Sequence, residues 1–367
     1  MKHELKYLKS IIGAFGLPGT FRTVVPYGNG HINDTYLVHM DNGAGVDYIL
    51  QRINHNIFKD PPALMDNILR VTRHVRKKTA EMPCGNPDRE SLTVIPTRKN
   101  APFLLDEQGN FWRMYIFITD ARTYDICETT QQAYETASSF GRFQALLADL
   151  PGGRLHETIP FFHHTPRRFK TLEEAINSDR FNRAIEAKND IDFCFRHKPL
   201  TSALTDLLEN GKMPERIAHN DSKINNVMME NAGGRGICVI DLDTVMSGSS
   251  LYDFGDMVRT AARTMDEDER DLRKVMLKME FFEALARGYL EAARSFLTPV
   301  EVDNMVTAGK VITFTIGIRF LSDYLAGDVY FKIHRPGHNL DRARVQFKLL
   351  ASIEEQEEEM RKIIQQN

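Results

Sequence analysis

The chain is short of the features that most readily place a protein. Its four cysteines, Cys84, Cys127, Cys194 and Cys238, are scattered with no C-x-x-C pair. That excludes the common zinc spacings and a disulfide framework, and leaves buried reduced thiols. Neither sign of charge is in surplus: the formal net charge is -3 over 367 residues. There is no basic excess to neutralise a nucleic-acid backbone or an anionic membrane, so a small-molecule partner is favoured. The start, Met1-Lys-His-Glu-Leu-Lys, lacks the apolar core of a signal peptide, and no run approaches the roughly 20 apolar residues of a membrane span. The expectation is a cytoplasmic protein, monomeric or weakly dimeric, that engages neither nucleic acid nor membrane. At 42% hydrophobic and 26% charged, the chain is long enough for two lobes.

One stretch carries chemistry. Arg216-Ile-Ala-His-Asn-Asp-Ser-Lys-Ile-Asn-Asn-Val-Met-Met-Glu reads H-x-D-x-x-x-x-N through His219, Asp221 and Asn226. After a glycine turn, Gly236-Ile-Cys-Val-Ile-Asp-Leu-Asp is an apolar strand that delivers Asp241 at its end. Phosphoryl transfer needs one carboxylate to orient the attacking hydroxyl and accept its proton, and an amide plus a second carboxylate to hold the magnesium that bridges the phosphates. Asp221, Asn226 and Asp241 fit those roles in that order, with His219 supporting the loop. Either half alone is a weak match that a polar turn between strands would also give; the conjunction is specific.

The loop resembles that of the aminoglycoside phosphotransferase and choline kinase group, small-molecule relatives of the protein kinases, and within it the N-acetylhexosamine 1-kinases. The likeness runs along nearly the whole chain, through Pro26-Tyr-Gly-Asn-Gly-His-Ile-Asn, Tyr48-Ile-Leu-Gln, Phe162-His163, Ile240-Asp-Leu-Asp-Thr, Asp253-Phe-Gly-Asp and Arg319-Phe-Leu-Ser-Asp-Tyr-Leu-Ala-Gly-Asp. It implies an α+β, two-lobed protein-kinase-like fold, with an N-lobe of antiparallel sheet plus a helix (residues 1–118) and a mainly helical C-lobe (119–367). It also implies ATP and Mg²⁺ as cofactors, and phosphorylation of the anomeric hydroxyl of an N-acetylhexosamine. The alternatives are a kinase for another small alcohol and a catalytically inactive nucleotide-binding protein.

Along the chain, residues 4–15 have helical apolar spacing, and three strands with two turns follow to Ile53. The first turn, Gly28-Asn29-Gly30, reads alone as a plain hairpin turn. Upstream of the catalytic loop it reads as a cover for nucleotide phosphates, because glycine lets backbone N–H groups approach oxygens that a Cβ would block. His31 and Asn33 stand at its mouth and face phosphate or sugar. The third strand ends Ile49-Leu50-Gln51, where protein kinases carry a phosphate-pairing lysine, and the helix after it offers only Asp66 where they carry the partner glutamate. Both members of that ion pair are missing together. In Cys84-Gly-Asn-Pro-Asp-Arg the spacing is one residue too long for a sulfatase signature.

The resemblance makes the backbone around Phe117 and Ile118 the adenine hinge and places Gln51 against the nucleotide. On the acceptor side it implies His31, Asn33, Asn220, Arg259, Arg319, Asp323, Tyr324 and Tyr330. By spacing alone, Arg319 and Asp323 read first as an i,i+4 ion pair on a surface helix. Helices are expected over Val275–Leu297 and Pro299–Leu325, with a solvated helix over Ile353–Asn367.

Overall fold

The computed structural model describes residues 2–28, 32–41, 43 and 45–367. It opens with helix α1 (Lys2–Gly13), strands β1 (Thr20–Pro26), β2 (Asp34–Asp41) and β3 (Tyr48–Ile53), and helices α2 (Pro61–Ala80) and α3 (Pro87–Glu90). The hairpin β4 (Leu104–Leu105) and β5 (Phe111–Ile116) follows. The sheet is antiparallel in the order β1-β2-β3-β5-β4. Side chains alternate between its faces. Val38, Met40, Tyr48, Leu50, Trp112 and Met114 pack beneath Leu8, Ile11 and Ile12 of α1 as one core. The opposite face carries a polar row, Thr35 beside Gln51 beside Arg113, set by register.

Asp60 caps α2, accepting a hydrogen bond from the Ala63 N–H at 3.1 Å, with Pro61 and Pro62 pre-set for the first turn. Its buried stripe of Leu64, Met65, Ile68, Val71 and Val75 belongs to the main core.

The rest of the chain is mainly helical: β6 (Ala121–Arg122), α4 (Thr130–Leu147), α5 (Thr165–Ser178), α6 (Lys188–Arg196), α7 (Thr205–Glu209), then β7 (Arg216–Ala218), β8 (Val227–Glu230), β9 (Gly236–Val239) and β10 (Met246–Gly248). Helices α8 (Ser250–Ala261), α9 (Met279–Ala293), α10 (Pro299–Asp303), α11 (Met305–Leu325), α12 (His338–Glu355) and α13 (Glu357–Gln366) complete it. Close approach of α8 to α11 requires glycine: a Cβ at Gly255 would lie 2.5 Å from the Ala308 carbonyl oxygen.

Three expectations are corrected. The helix assigned from Val275 begins at Met279, because Leu277 bridges to Arg263 as extended backbone. The helix from Pro299 breaks at Asn304: Thr298 and Glu301 form a capping box on the short α10, and α11 starts afresh at Met305. The terminal segment is amphipathic rather than wholly solvated, since Met360, Ile363 and Ile364 enter the core. Helix α11 is also long and apolar enough to cross a membrane by length and composition, with a mean hydropathy of 1.3 in its most apolar window. That window is 83% buried inside the fold, so the apolarity is that of a core helix.

Candidate active site

The candidate catalytic stretch is a loop between β7 and a 3-10 turn (Ile224–Asn226), and buried groups hold it from behind. His219 is fully buried, edge-on to Phe140 and Phe143, and its Nε2 lies 2.9 Å from the Ile240 carbonyl oxygen. Its Nδ1 accepts from the Asp221 N–H at 3.3 Å, so the proton sits on Nε2 and is donated to Ile240. Asn220 takes a left-handed φ of 66°. Its N–H and that of His219 donate to the two Asp253 oxygens at 2.7 and 2.8 Å, and the Gln144 amide donates as well. Burial pushes the Asp253 carboxyl up to about 6, against the pull of those donors.

Asp253 thus braces the catalytic loop. The cap of its own helix is Ser249, which accepts from Leu251 N–H. The Asn220 side chain, assigned to the acceptor by resemblance, is turned inward and donates to the Ala218 and Thr244 carbonyls at 3.1 and 2.9 Å. His163 donates to the Asn220 carbonyl at 2.8 Å and is kept neutral, with burial lowering its pKa to about 4.

Asp221 sits at the front of the loop. Burial opposes its charge, but Lys223 at 3.1 Å and the Asn226 amide at 3.1 Å hold it below the usual carboxylate range. Lys223 was not singled out from sequence, where it reads as one more polar loop residue. The Asn226 carbonyl accepts from Ile240 N–H at 2.9 Å, which closes the β8–β9 hairpin and brings Asp241 alongside. Asp241 adopts a left-handed φ of 57° and its carboxylate has no hydrogen-bonding or ionic partner among the described residues. Surrounding protein and the carboxylates of Asp243 and Asp221 push it up to about 7. The residue reaches solvent, and the neighbouring like charges disfavour its ionised form. Crowded carboxylates suit a divalent cation. Among the described residues no three His, Cys, Asp or Glu side chains converge on a metal position. Two protein ligands are nonetheless what Mg²⁺ commonly takes when phosphates complete its shell.

Asp243, two residues on, is not available for that role. It is buried; one oxygen pairs with Arg113 Nη1, and the other accepts from Arg113 Nη2 at 3.0 Å and Asn33 Nδ2 at 2.6 Å. Arg113 was missed in the sequence, hidden in an apolar strand. Gln51 accepts from Arg113 Nε at 2.9 Å and donates to Thr35 at 3.0 Å, so it is engaged within the sheet. Asn33 likewise joins Asp243 to the Asn54 N–H instead of standing free at the mouth of the turn. Asp66, as expected, forms no buried pair; it lies exposed beside His156.

Of the glycine turn, Gly28 has φ +75° with open space around it, while Asn29, Gly30 and His31 lie outside the described residues. At the expected hinge, the Phe117 N–H already donates to the Asp47 carbonyl at 2.9 Å, so it is not free for a base. Ile118 is buried against Met228, Ile237 and Cys238.

On the other side of Asp221, Arg319 is within electrostatic reach of both Asp221 and Arg259. Its guanidinium lies 5.1, 5.8 and 5.4 Å from the rings of Phe162, Tyr330 and Phe331. Arg259 is buried and paired with Asp256 and Glu267. Asp323 forms no pair with Arg319; it accepts the N–H groups of Val329, Tyr330 and Phe331 and the Asn339 amide, and so shapes the loop that presents Tyr330. Tyr324 is buried and donates to Glu186 at 2.6 Å, away from Asp221. Asp323 and Tyr324 therefore support the fold rather than line the site.

Comparison with known proteins follows the same lines. The sequence model of the phosphotransferase enzyme family matches residues 23–299. The chain is similar in structure to a microcompartment-associated aminopropanol kinase, with TM-score 0.58 and 14% identity over 97% of this chain and 98% of that one. It is also similar to the amicoumacin kinase hAmiN, solved in complex with AMP-PNP, Ca²⁺ and Ami, with TM-score 0.59 and 13% identity over 95% and 96%. Choline kinase from Cryptosporidium parvum Iowa II aligns with TM-score 0.54 and 16% identity over 92% and 90%. At such identities the likeness establishes the fold, an antiparallel N-terminal sheet and a helical C-terminal part as in the kinases. With the family match spanning most of the chain, the protein belongs to the phosphotransferase enzyme family.

Proposed function

We propose that the protein transfers the terminal phosphoryl group of ATP to the anomeric hydroxyl of an N-acetylhexosamine, giving the sugar 1-phosphate. The observation that carries the reading is the grouping of Asp221, Asn226 and Asp241 on one buttressed loop and hairpin. Asp221, kept ionised by Lys223 and Asn226, orients the attacking hydroxyl and takes its proton on a carboxylate oxygen. Asn226 and Asp241 would hold Mg²⁺, which neutralises phosphate charge when bound. His219 and Asp253 keep the loop in position behind them. On the acceptor side, Arg319 and the exposed Tyr330 offer a planar cation and an aromatic surface to a sugar. The likeness of the segment from Arg319 to Asp328 to the N-acetylhexosamine 1-kinases supports that substrate class.

The test is phosphorus NMR of the product made from ATP and N-acetylglucosamine. Coupling to the anomeric proton and its neighbour is expected. Coupling to the exocyclic methylene would overturn the 1-phosphate assignment and leave the kinase intact. A kinase for another small alcohol is the second reading, because the fold neighbours include an aminopropanol kinase and a choline kinase. Turnover in an acceptor screen confined to amino alcohols would favour it.

A further inference from the structure

In protein kinases a lysine on the third strand meets the nucleotide phosphates and is steadied by a glutamate on the following helix. This chain has Gln51 and no glutamate at those places, and α2 offers only an exposed Asp66. The structure nevertheless contains a fully buried cation next to Gln51. Arg113 stands opposite Gln51 in the β3–β5 register, on the same face of the sheet, and is 1% exposed. Its carboxylate partner, Asp243, lies two residues beyond Asp241. We infer that Arg113 is the phosphate-facing cation of this enzyme and that Asp243 is the residue that orients it, so that the ion pair has moved one strand along the sheet and onto the metal-binding hairpin.

Three observations carry this. First, a guanidinium has five N–H donors, and Arg113 uses three: one to Gln51 and two to Asp243. Each nitrogen is thus partnered, and the second N–H of each terminal nitrogen has no acceptor among the described residues, which leaves donor capacity for a ligand. Second, Asp243, the carboxylate paired with Arg113, follows Asp241 by two residues, so the cation is held against the hairpin that carries the carboxylate assigned to magnesium. Third, Asp243 also accepts from Asn33, beside the glycine turn, at 2.6 Å. One carboxylate thereby ties together Asn33, the cation and the hairpin that carries Asp241. A planar fork suits bidentate phosphate recognition, and Gln51 fixes its orientation through Nε.

The inference rests on the nucleotide half of the proposed function and is independent of the acceptor. It is tested by calorimetric titration of wild type and variants with ATP and, separately, with adenosine, which lacks the phosphates. In Arg113→Gln, ATP affinity should fall about ten- to a hundredfold, the range for a lost charge-assisted contact. Adenosine affinity should stay within about threefold, and the KM for ATP should rise more than kcat falls.

Loss of a buried partner can unfold the chain, so Arg113→Gln/Asp243→Asn removes both charges and restores neutrality. This variant should fold and show the same selective loss. Adding Gln51→Lys to Arg113→Gln puts a charge back on the neighbouring strand and should recover ATP affinity without changing that for adenosine. If folded variants keep the wild-type ratio of ATP to adenosine affinity, or if the lysine rescues melting temperature alone, the pair is a strut between sheet and hairpin and the inference falls. If wild type itself binds no ATP, the proposed function falls with it.

Discussion

Replacing Asp253 by asparagine separates two effects that oppose each other at one buried site. The carboxylate is fully buried and accepts from the His219 and Asn220 N–H groups and from Gln144. An amide has one acceptor oxygen, so at least one buried donor would face an NH₂ group, at a cost of about 1–3 kcal/mol. Against this, the folded carboxyl is raised to about 6. A rise of roughly two units means that ionising it in the fold at neutral pH costs about 3 kcal/mol more than in the unfolded chain. Its folded pKa lies above the unfolded value. The associated stability is therefore present below about pH 4 and is lost as pH rises through about 6. The substituted amide cannot ionise and escapes that loss.

The variant should therefore be less stable than wild type at pH 4, and equal to it or more stable by up to about 2 kcal/mol at pH 7.5. Thermal melts of both proteins across that range measure the difference. Activity should not recover with stability: the catalytic loop has lost a backbone anchor, so kcat should stay depressed at pH 7.5, and hydrogen exchange at the His219 and Asn220 amides should be faster. A stability difference that is constant with pH would refute the assignment of Asp253 as a strained, buried loop brace.

Other outcomes follow from the same geometry. Asp221→Asn should lower turnover by about 10² to 10⁴, the range for a positioned base, with ATP binding retained; undiminished turnover would move the chemistry elsewhere. Asp241→Asn should abolish most turnover and weaken Mg²⁺-dependent ATP binding, measured by titration with and without the metal. In wild type that affinity should climb with pH as the raised Asp241 carboxyl ionises, and the climb should be absent in the variant. Gly255→Ala forces a methyl to 2.5 Å from the Ala308 carbonyl oxygen, and should cost about 1–3 kcal/mol in denaturant unfolding.

Legibility in the sequence divides along the distance over which information must travel. The parts of the proposed catalytic hairpin are local in the chain: His219, Asp221 and Asn226 lie within one loop, and Asp241 arrives after a single short return. The sheet with its covering helix was readable from apolar periodicity, which Leu8, Ile11, Val38 and Leu50 display without knowledge of their partners. The Arg113–Asp243 pair was not, because it depends on the register of β3 against β5 and on the docking of the sheet onto the hairpin. Neither is encoded in a spacing, and in sequence Arg113 is one charge inside Phe-Trp-Arg-Met-Tyr. Alternation did contain a signal: Trp112 and Met114 face the α1 core, which forces Arg113 to the other face, where a buried charge demands a partner. Asp323 failed for the converse reason. Its spacing from Arg319 suggested a pair across one helical turn, but the N–H groups beyond Gly327 captured both oxygens, a competition visible only once the loop is folded. Buried polar groups answer to whichever donors and acceptors the fold brings nearest, so a charge on a half-buried strand finds its partner only once the sheet has docked.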